Sequence, residues 1–234
     1  MITYLDILMP SLGFIIAYLL GSIPNAIIIG KIFFKQDITT IGSGNPGGTN
    51  ASRAWGKKVG IIVILLDMFK AALPTWIAIL VFNFTNLKNT MLPDSISWGI
   101  WLTGLGAVIG HCFSIYIKFK GGKGVATIAG FVGLTSIFQL ILGLSTFLTT
   151  LKIKKMVSLS SIMLCVFGTL AAWILFIVHQ CGFVEFVNNS FIFCPTLISM
   201  NLAYPICITI ASAVIIYRHK DNIKRMINDK ENKI

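Results

Sequence analysis

The chain has 234 residues, of which 56% are hydrophobic and only 12% are charged, and its mean hydropathy is +0.85. About a quarter of the residues of a soluble domain are charged, so this composition excludes an ordinary soluble globule and predicts an all-α integral membrane protein with one domain, residues 1–234. The net charge of +11 favours anionic partners, either lipid headgroups or phosphorylated substrates; nucleic acid is not expected, because the basic residues lie in short loops.

Apolar segments long enough to cross a bilayer recur along the chain. They are residues 5–34, 59–82, 98–117, 125–150, 157–178 and 197–217. Because about 20 apolar residues span the hydrocarbon core, each segment except the fourth predicts one crossing. Pro24 interrupts the first segment and predicts a kink, with Ser22 and Asn25 as polar contacts between helices.

The second segment carries two charges at membrane depth, Asp67 and Lys70. They lie three positions apart and so share one face of a helix. Charges at this depth are costly and point into the bundle, towards a partner or a functional site. Two interpretations stay open at this point, a mutual ion pair and a contact with substrate.

The fourth segment is predicted to form two short helices that break near residues 130–136. Basic clusters flank it at residues 118–123 and 152–155, and the positive-inside rule places both in the cytoplasm. A single crossing would put them on opposite sides. Each of the two helices would have about 12 residues, so the fourth and fifth helices are expected to be short or partly re-entrant.

The distribution of basic residues predicts the topology. Every Lys and Arg except Lys70 and Lys88 falls on one side of this arrangement. The pattern predicts a seven-pass helical bundle with the N-terminus outside and the C-terminus cytoplasmic. Three polar segments then share the cytoplasmic face: loop 35–58, loop 118–124 and the amphipathic tail 218–234.

The first cytoplasmic loop contains the glycine-rich stretch 42–53, which reads G-S-G-N-P-G-G-T-N-A-S-R. Glycines allow positive φ, and successive backbone N–H groups in such turns form concave sites for anions. The stretch adds side-chain donors and a planar cation: Ser43, Asn45, Thr49, Asn50 and Arg53. A helix rather than a strand precedes it, so the G-x-G-x-x-G spacing does not indicate a dinucleotide fold. We interpret it as a phosphate cradle; a plain flexible loop is the alternative.

The second cytoplasmic loop, residues 118–124, reads K-F-K-G-G-K-G. It is not a nucleotide-binding P-loop, since Gly124 stands where Ser or Thr is required. A basic, glycine-rich loop at the start of a helix is nevertheless a good anion site; the alternative is an ordinary basic loop at the membrane edge. The five cysteines form no C-x-x-C pair, and the three histidines do not cluster with them in the sequence, so no metal site is predicted. A disulfide between Cys181 and Cys194 stays open.

Together these motifs resemble the bacterial acyl-phosphate:glycerol-3-phosphate acyltransferases, the PlsY family. The resemblance rests on G-S-I-P at 21–24, the stretch 42–53, L-L-D-M-F-K at 65–70, G-H at 110–111, K-F-K-G-G-K-G-V-A-T at 118–127, S-L-S-S-I at 158–162, R-H-K-D-N-I-K-R at 218–225, and Glu231. Ser114 and Asp229 depart from the family pattern, since they stand where proline and glycine are common.

The resemblance implies transfer of an acyl chain from acyl phosphate to the sn-1 hydroxyl of glycerol 3-phosphate, giving lysophosphatidic acid and phosphate in phospholipid synthesis. It also implies a monomer in the bacterial inner membrane, among membrane lipids, with a cytoplasmic active site and no cofactor. A transporter or channel for a phosphorylated solute is the alternative function. It would require polar residues along a path through the bilayer, whereas the polar residues here collect on one face.

The resemblance also assigns roles to individual residues. Glycerol 3-phosphate would bind to Ser43, Arg53, Lys120, Lys123, His219 and Asn222. Acyl phosphate would bind to Gly121, Gly122, Lys123 and Gly124. The residues that shape the pocket would be Gly44, Asn45, Thr49, Asn50, His111 and Arg225. Ser43, Arg53 and His219 would be catalytic, and the general base would be His219 or a phosphate of the substrate.

Overall fold

The computed structural model describes residues 2–133, 136–183 and 201–233. These residues form helices and connecting loops, with no β-strand among them. The helices are α1 (Leu5–Gly21), α2 (Asn25–Ile29), α3 (Gly48–Trp55), α4 (Lys57–Phe84), α5 (Leu87–Thr90), α6 (Pro93–Cys112), α7 (Val125–Ile128), α8 (Ile137–Lys154), α9 (Val157–Gln180), α10 (Ala203–Arg218) and α11 (Lys220–Ile227). The prediction of an all-helical protein is confirmed for these residues. Cys194 lies outside the described residues, and with it the question of a disulfide to Cys181.

Within the described ranges, five helical segments are long and apolar enough to cross a membrane. They are Leu5–Phe34, Lys57–Phe82, Pro93–Ile117, Ile137–Lys154 and Val157–Gln180. The apolar helix Ala203–Arg218 is shorter. Their outward-facing side chains are largely aliphatic and aromatic, as lipid contact requires.

The predicted break in the fourth apolar segment is confirmed, but the predicted length of the fifth helix is wrong. Helical structure ends at Gly133, and α8 begins at Ile137. The first part is short and buried: a Cβ on Gly130 would overlap the carbonyl of Met68. By contrast, α8 has 18 residues, enough to cross alone. Only the first part is shortened because only that part is enclosed by protein.

Close packing of α1 against α6 explains the small residues in both helices. A Cβ on Gly21, Gly106 or Gly110 would overlap a backbone carbonyl of the opposite helix. Ser22 Oγ donates to the carbonyl of Gly110 at 3.2 Å, and Ser114 Oγ donates to the carbonyl of Ser22 at 2.5 Å. Ser114 has a φ of −66°, the angle of a proline, so the departure from the family pattern keeps the backbone shape.

The two intramembrane charges form an ion pair. Lys70 Nζ lies 3.0 Å from Asp67 Oδ1 and donates to the carbonyl of Ile23 at 2.8 Å, next to the break between α1 and α2. Asn25 Nδ2 donates to the same carboxylate oxygen at 3.0 Å, and His111 Nδ1 lies 3.7 Å from it. The pair therefore ties the interrupted first span to α4 and α6, which fits the interpretation as a mutual ion pair.

The end of α11 puts a non-glycine residue in a glycine position. Asp229 has a φ of 55°, its N–H donates to the carbonyl of Met226, and Lys230 N donates to the carbonyl of Arg225 at 2.8 Å. These two bonds form a Schellman motif, whose left-handed residue is normally glycine. The strain that the departure at Asp229 imposes is therefore local to this turn.

We expect Asp229→Gly to be more stable than Asp229→Ala by about 1 kcal/mol, because alanine in the left-handed region meets a steric penalty that glycine avoids. Thermal unfolding of the two purified variants in the same detergent measures this as a difference of roughly 2–4 °C. Equal midpoints, or a higher midpoint for the alanine variant, would contradict it.

Candidate active site

A cavity of about 350 Å³ opens between the two glycine-containing loops, the tail and helices α7 to α10. This volume lies within the range of small-molecule sites. One part of its lining is polar: Ser43, Asn45, Thr49, Asn50, Arg53, Lys123, Ser158, His219, Asn222, Arg225 and Glu231. The rest is mainly apolar and includes Met68, Ile128, Val132, Leu140, Leu144, Phe147, Leu164 and Ile208.

Most of the site residues expected from the sequence meet at this cavity. They are Ser43, Asn45, Thr49, Asn50, Arg53, His111, Lys123, Gly124, His219, Asn222 and Arg225. The structure does not bring Gly44, Lys120, Gly121 or Gly122 into its lining. Lys120 is exposed, whereas Gly121 and Gly122 are buried.

The buried amide of Asn50 holds the glycine-rich loop in shape. Ser43 N donates to its Oδ1 at 3.1 Å, and its Nδ2 donates to the carbonyls of Ile41 at 2.9 Å and Ile38 at 3.2 Å. Gly42, with a φ of 59°, leaves room for this amide, since a Cβ there would lie 2.5 Å from Oδ1. Asn50 therefore shapes the loop through groups that are already hydrogen-bonded.

Helix α3 starts at the cavity wall. Gly47, Gly48 and Thr49, around its first turn, line the cavity. The first N–H groups of a helix have no partner within it and carry a partial positive charge, so they favour an anion. Arg53, one turn further along the same eight-residue helix, adds a full charge at the exposed rim.

Arg218 holds the second loop in place. Its Nη2 donates to the carbonyl of Gly121 at 2.6 Å, and its Nε donates to the carbonyl of Gly122 at 3.2 Å. The N–H of Gly122 in turn donates to the carbonyl of His111 at 3.0 Å. These glycines therefore allow close packing. Their expected role in binding acyl phosphate stays a prediction, and their position outside the cavity lining does not support it.

A hydrogen-bonded network joins the second loop to the tail. Lys123 Nζ donates to Asn222 Oδ1 at 2.7 Å, and Asn222 Nδ2 donates at 2.7 Å both to Ser158 Oγ and to Glu231 Oε1. Ser158 also donates to Glu231, and Arg225 Nε donates to Glu231 Oε2 at 2.8 Å. Glu231 thus neutralises Arg225, while Lys123 is held in the cavity by an uncharged amide.

The model of the family described as glycerol-3-phosphate acyltransferase matches residues 11–229. The chain belongs to the glycerol-3-phosphate acyltransferase family. The resemblance inferred from the motifs is therefore confirmed, and membership makes the chain an enzyme, an acyltransferase.

Named members of this acyltransferase family match over nearly their whole length. The glycerol-3-phosphate acyltransferase of Macrococcus caseolyticus is 38% identical over 221 residues, covering 94% of each chain. That of Staphylococcus haemolyticus is 39% identical over 224 residues, covering 94% of this chain and 95% of the relative. The crystal structure of PlsY, an integral membrane glycerol 3-phosphate acyltransferase, in its glycerol 3-phosphate form superposes with a TM-score of 0.74 at 31% identity, covering 96% of this chain and 95% of PlsY.

Ser158 and Glu231 line the cavity and join its polar network, but they were missing from the set expected from the sequence. Both lie in stretches that carry the family resemblance, S-L-S-S-I and the end of the tail, and that was the available signal. Their contact could not be read from the sequence, because 73 positions separate them. Among the described residues, no group of three His, Cys, Asp or Glu side chains is placed to hold a metal ion.

The pKa of Lys123 is lowered to about 8, mainly by burial; Glu231 opposes this effect, and the neighbouring cations Arg225, Arg218 and Arg53 add to it. Lys123 is therefore a cation below about pH 8 and loses its charge as the pH rises through that value. An anion held by this amine should bind less well on the alkaline side.

We expect kcat/KM of the acyltransferase to fall above about pH 8, and Lys123→Arg to remove that fall, because arginine keeps its charge to well above pH 12. Initial rates of product formation from pH 6 to 10 measure the effect. An alkaline limb that stays near pH 8 in the arginine variant would assign the titration to another group.

Burial also lowers the pKa of His219, to about 4. Its Nδ1 lies 2.8 Å from the carbonyl of Ile215, so in the neutral ring Nδ1 carries the proton and Nε2 is the acceptor. The imidazole is buried yet belongs to the cavity lining. At neutral pH it therefore offers the cavity a neutral hydrogen-bonding group.

Proposed function

We propose that this protein transfers an acyl chain from acyl phosphate to the sn-1 hydroxyl of glycerol 3-phosphate. The products are lysophosphatidic acid and inorganic phosphate. One observation carries the proposal: a single cavity combines a cationic polar end with an apolar remainder. Such a cavity suits a pair of phosphorylated reactants of which one has a long hydrocarbon chain.

The charge of the polar end supports two phosphorylated ligands. Arg53 and Lys123 line it as cations, while the charge of Arg225 is matched by Glu231. Asp67, the other acidic residue of the lining, is matched by Lys70. The remaining positive charge, with the N-terminus of α3, favours phosphate dianions.

In the proposed reaction the enzyme positions its reactants and needs no covalent intermediate. The hydroxyl oxygen of glycerol 3-phosphate forms an ester bond to the acyl carbon, the bond from that carbon to the phosphate oxygen breaks, and phosphate leaves with the proton of the hydroxyl. Arg53 and Lys123 hold the two phosphates close together. A phosphate monoester has a second pKa near 6, so it accepts a proton more readily than His219, whose pKa is about 4.

We propose that the chain lies in the bacterial inner membrane as one domain with seven passes. The five long apolar segments, the buried turn before α8 and the shorter helix Ala203–Arg218 supply the seven. The N-terminus would lie outside, and the active site, the tail and loops 35–58 and 118–124 would face the cytoplasm, as the excess of basic residues favours. We propose a monomer surrounded by membrane lipids.

Purified protein given acyl phosphate and glycerol 3-phosphate tests the activity. We expect phosphate release that requires both substrates and yields lysophosphatidic acid acylated at the sn-1 position. Replacing acyl phosphate by acyl-CoA or acyl carrier protein tests the donor. Turnover with those donors alone would overturn the acyl phosphate assignment, and uptake of a phosphorylated solute into vesicles without chemistry would support the transporter instead.

A further inference from the structure

A polar side chain lies at the far end of the apolar part of the cavity. Gln139 lines the cavity, is only 5% exposed, and stands two residues from the start of α8, away from the basic end at Lys154. Its Nε2 donates to Tyr204 Oη at 2.9 Å and to the carbonyl of Gly168 at 3.4 Å. A buried carboxamide among aliphatic side chains is costly unless its hydrogen bonds hold it in place, and these bonds do so.

The distance from this amide to the polar end of the cavity follows from the two helices that carry its hydrogen-bond partners. Along α9, Gly168 lies ten residues from Ser158, and along α10, Tyr204 lies fifteen residues from His219. At about 1.5 Å per helical residue these separations are roughly 15 and 22 Å. The amide therefore lies roughly 15 to 22 Å from the polar residues that are proposed to bind phosphate.

We propose that Gln139, anchored by Tyr204, forms the floor of the cavity and limits the length of the acyl chain that the enzyme accepts. This inference rests on the proposed function, since it takes the apolar part of the cavity as the acyl site. An extended chain with bonds of about 1.5 Å advances about 1.3 Å per carbon, so 15 to 22 Å corresponds to roughly 12 to 17 carbons. A longer chain would have to push its end against the fixed amide.

Two variants should move the length limit in opposite directions. Gln139→Ala removes the floor and should favour chains about two carbons longer. Gly143, one turn closer to the polar end on the same face of α8, lines the cavity, and a Cβ there meets its nearest neighbours, two Leu164 atoms, at 3.8 Å. A Cβ at Gly143 therefore makes only ordinary contacts, and the larger side chain of Gly143→Leu should shorten the preferred chain.

The probe for binding is a series of saturated monoalkyl phosphates with 10 to 20 carbons, added to the protein in lipid nanodiscs. Thermal stabilisation gives the affinity for each length, and acyl phosphates of the same lengths give kcat/KM. Each buried methylene adds roughly fourfold to affinity, so a shift of two carbons should change the preference between 14- and 18-carbon chains about 15-fold. Phe138→Ala, on the exposed face of α8, should keep the wild-type optimum.

The results of these experiments test the floor at Gln139 independently of the proposed reaction. An optimum at 12 to 17 carbons that lengthens in Gln139→Ala or shortens in Gly143→Leu supports the floor, even if the wild-type protein transfers no acyl group and the proposed function fails. One unchanged optimum in the wild type and in every folded variant overturns the floor, even if the enzyme is fully active. If Gln139→Ala does not fold, Gly143→Leu decides alone.

Discussion

Replacing Lys123 by alanine is expected to lower kcat/KM about 100- to 1,000-fold. The amine is half-buried, is held at 2.7 Å by Asn222 and faces the cavity. Water that enters in its place would not replace its positive charge. Removal of one preorganised donor to a developing or transferred negative charge typically has an effect of this size. Steady-state rates of phosphate release at pH 7, with both substrates varied, measure it.

Lys120 provides a matched control within the same loop. It carries the same charge three residues earlier, but it is exposed and does not line the cavity. We expect Lys120→Ala to retain activity within roughly threefold, because solvent and salt screen an exposed charge. A loss in Lys120→Ala that equals the loss in Lys123→Ala would mean that the loop acts through its total charge and not through one positioned amine.

Replacing His219 by alanine is expected to raise KM for glycerol 3-phosphate at least about tenfold and to lower kcat less than about tenfold. With a pKa of about 4, the buried imidazole is a weak base at neutral pH, whereas its lining position lets it bind substrate. His179, near the end of α9 and outside the cavity lining, is the control, and His179→Ala should behave as the wild type.

The opposite result would identify His219 as the general base. A positioned base contributes roughly 100- to 10,000-fold to the chemical step, so its removal would lower kcat by that amount with KM little changed. Because His219 is almost fully buried, the unfolding midpoint of the variant must be measured alongside its kinetics. His219→Gln, which keeps a hydrogen-bonding group of similar length, should recover part of the binding.

Some residues of the site could be predicted from sequence motifs, and others could not. Arg53, Lys123 and His219 were expected from three separate stretches to serve one function, and all three line one cavity. Their residue types follow from the chemistry of phosphate, so they are visible in the chain itself. The roles of Gly121 and Gly122 were not visible in this way. A glycine beside a lysine suits both an anion site and close packing, and only the contacts with Arg218 and His111 in the folded chain reveal the close packing.

The polar network required the folded chain for the same reason. Lys123 and Asn222 are 99 positions apart, and no local pattern states that one amide will join Lys123, Ser158 and Glu231. The length of α8 depended on the fold as well. The charge pattern predicts two helices of similar length in the fourth apolar segment. In the structure, only the part that contains Gly130 is short, because only that part is buried by protein.

Composition, the distribution of lysine and arginine, and the glycine-rich motifs were sufficient by themselves to determine a helical membrane protein, to predict anion-binding loops and to indicate its family. These properties belong to single residues or short stretches, since hydrophobic length and charge act on the chain wherever it folds. Only the tertiary structure decided which hydrogen-bond donors stay available to a ligand. It also decided that the apolar part of the cavity ends at Gln139. Hydrogen bonding and enclosure depend on the neighbours that a residue acquires in space, and those neighbours come from distant parts of the chain.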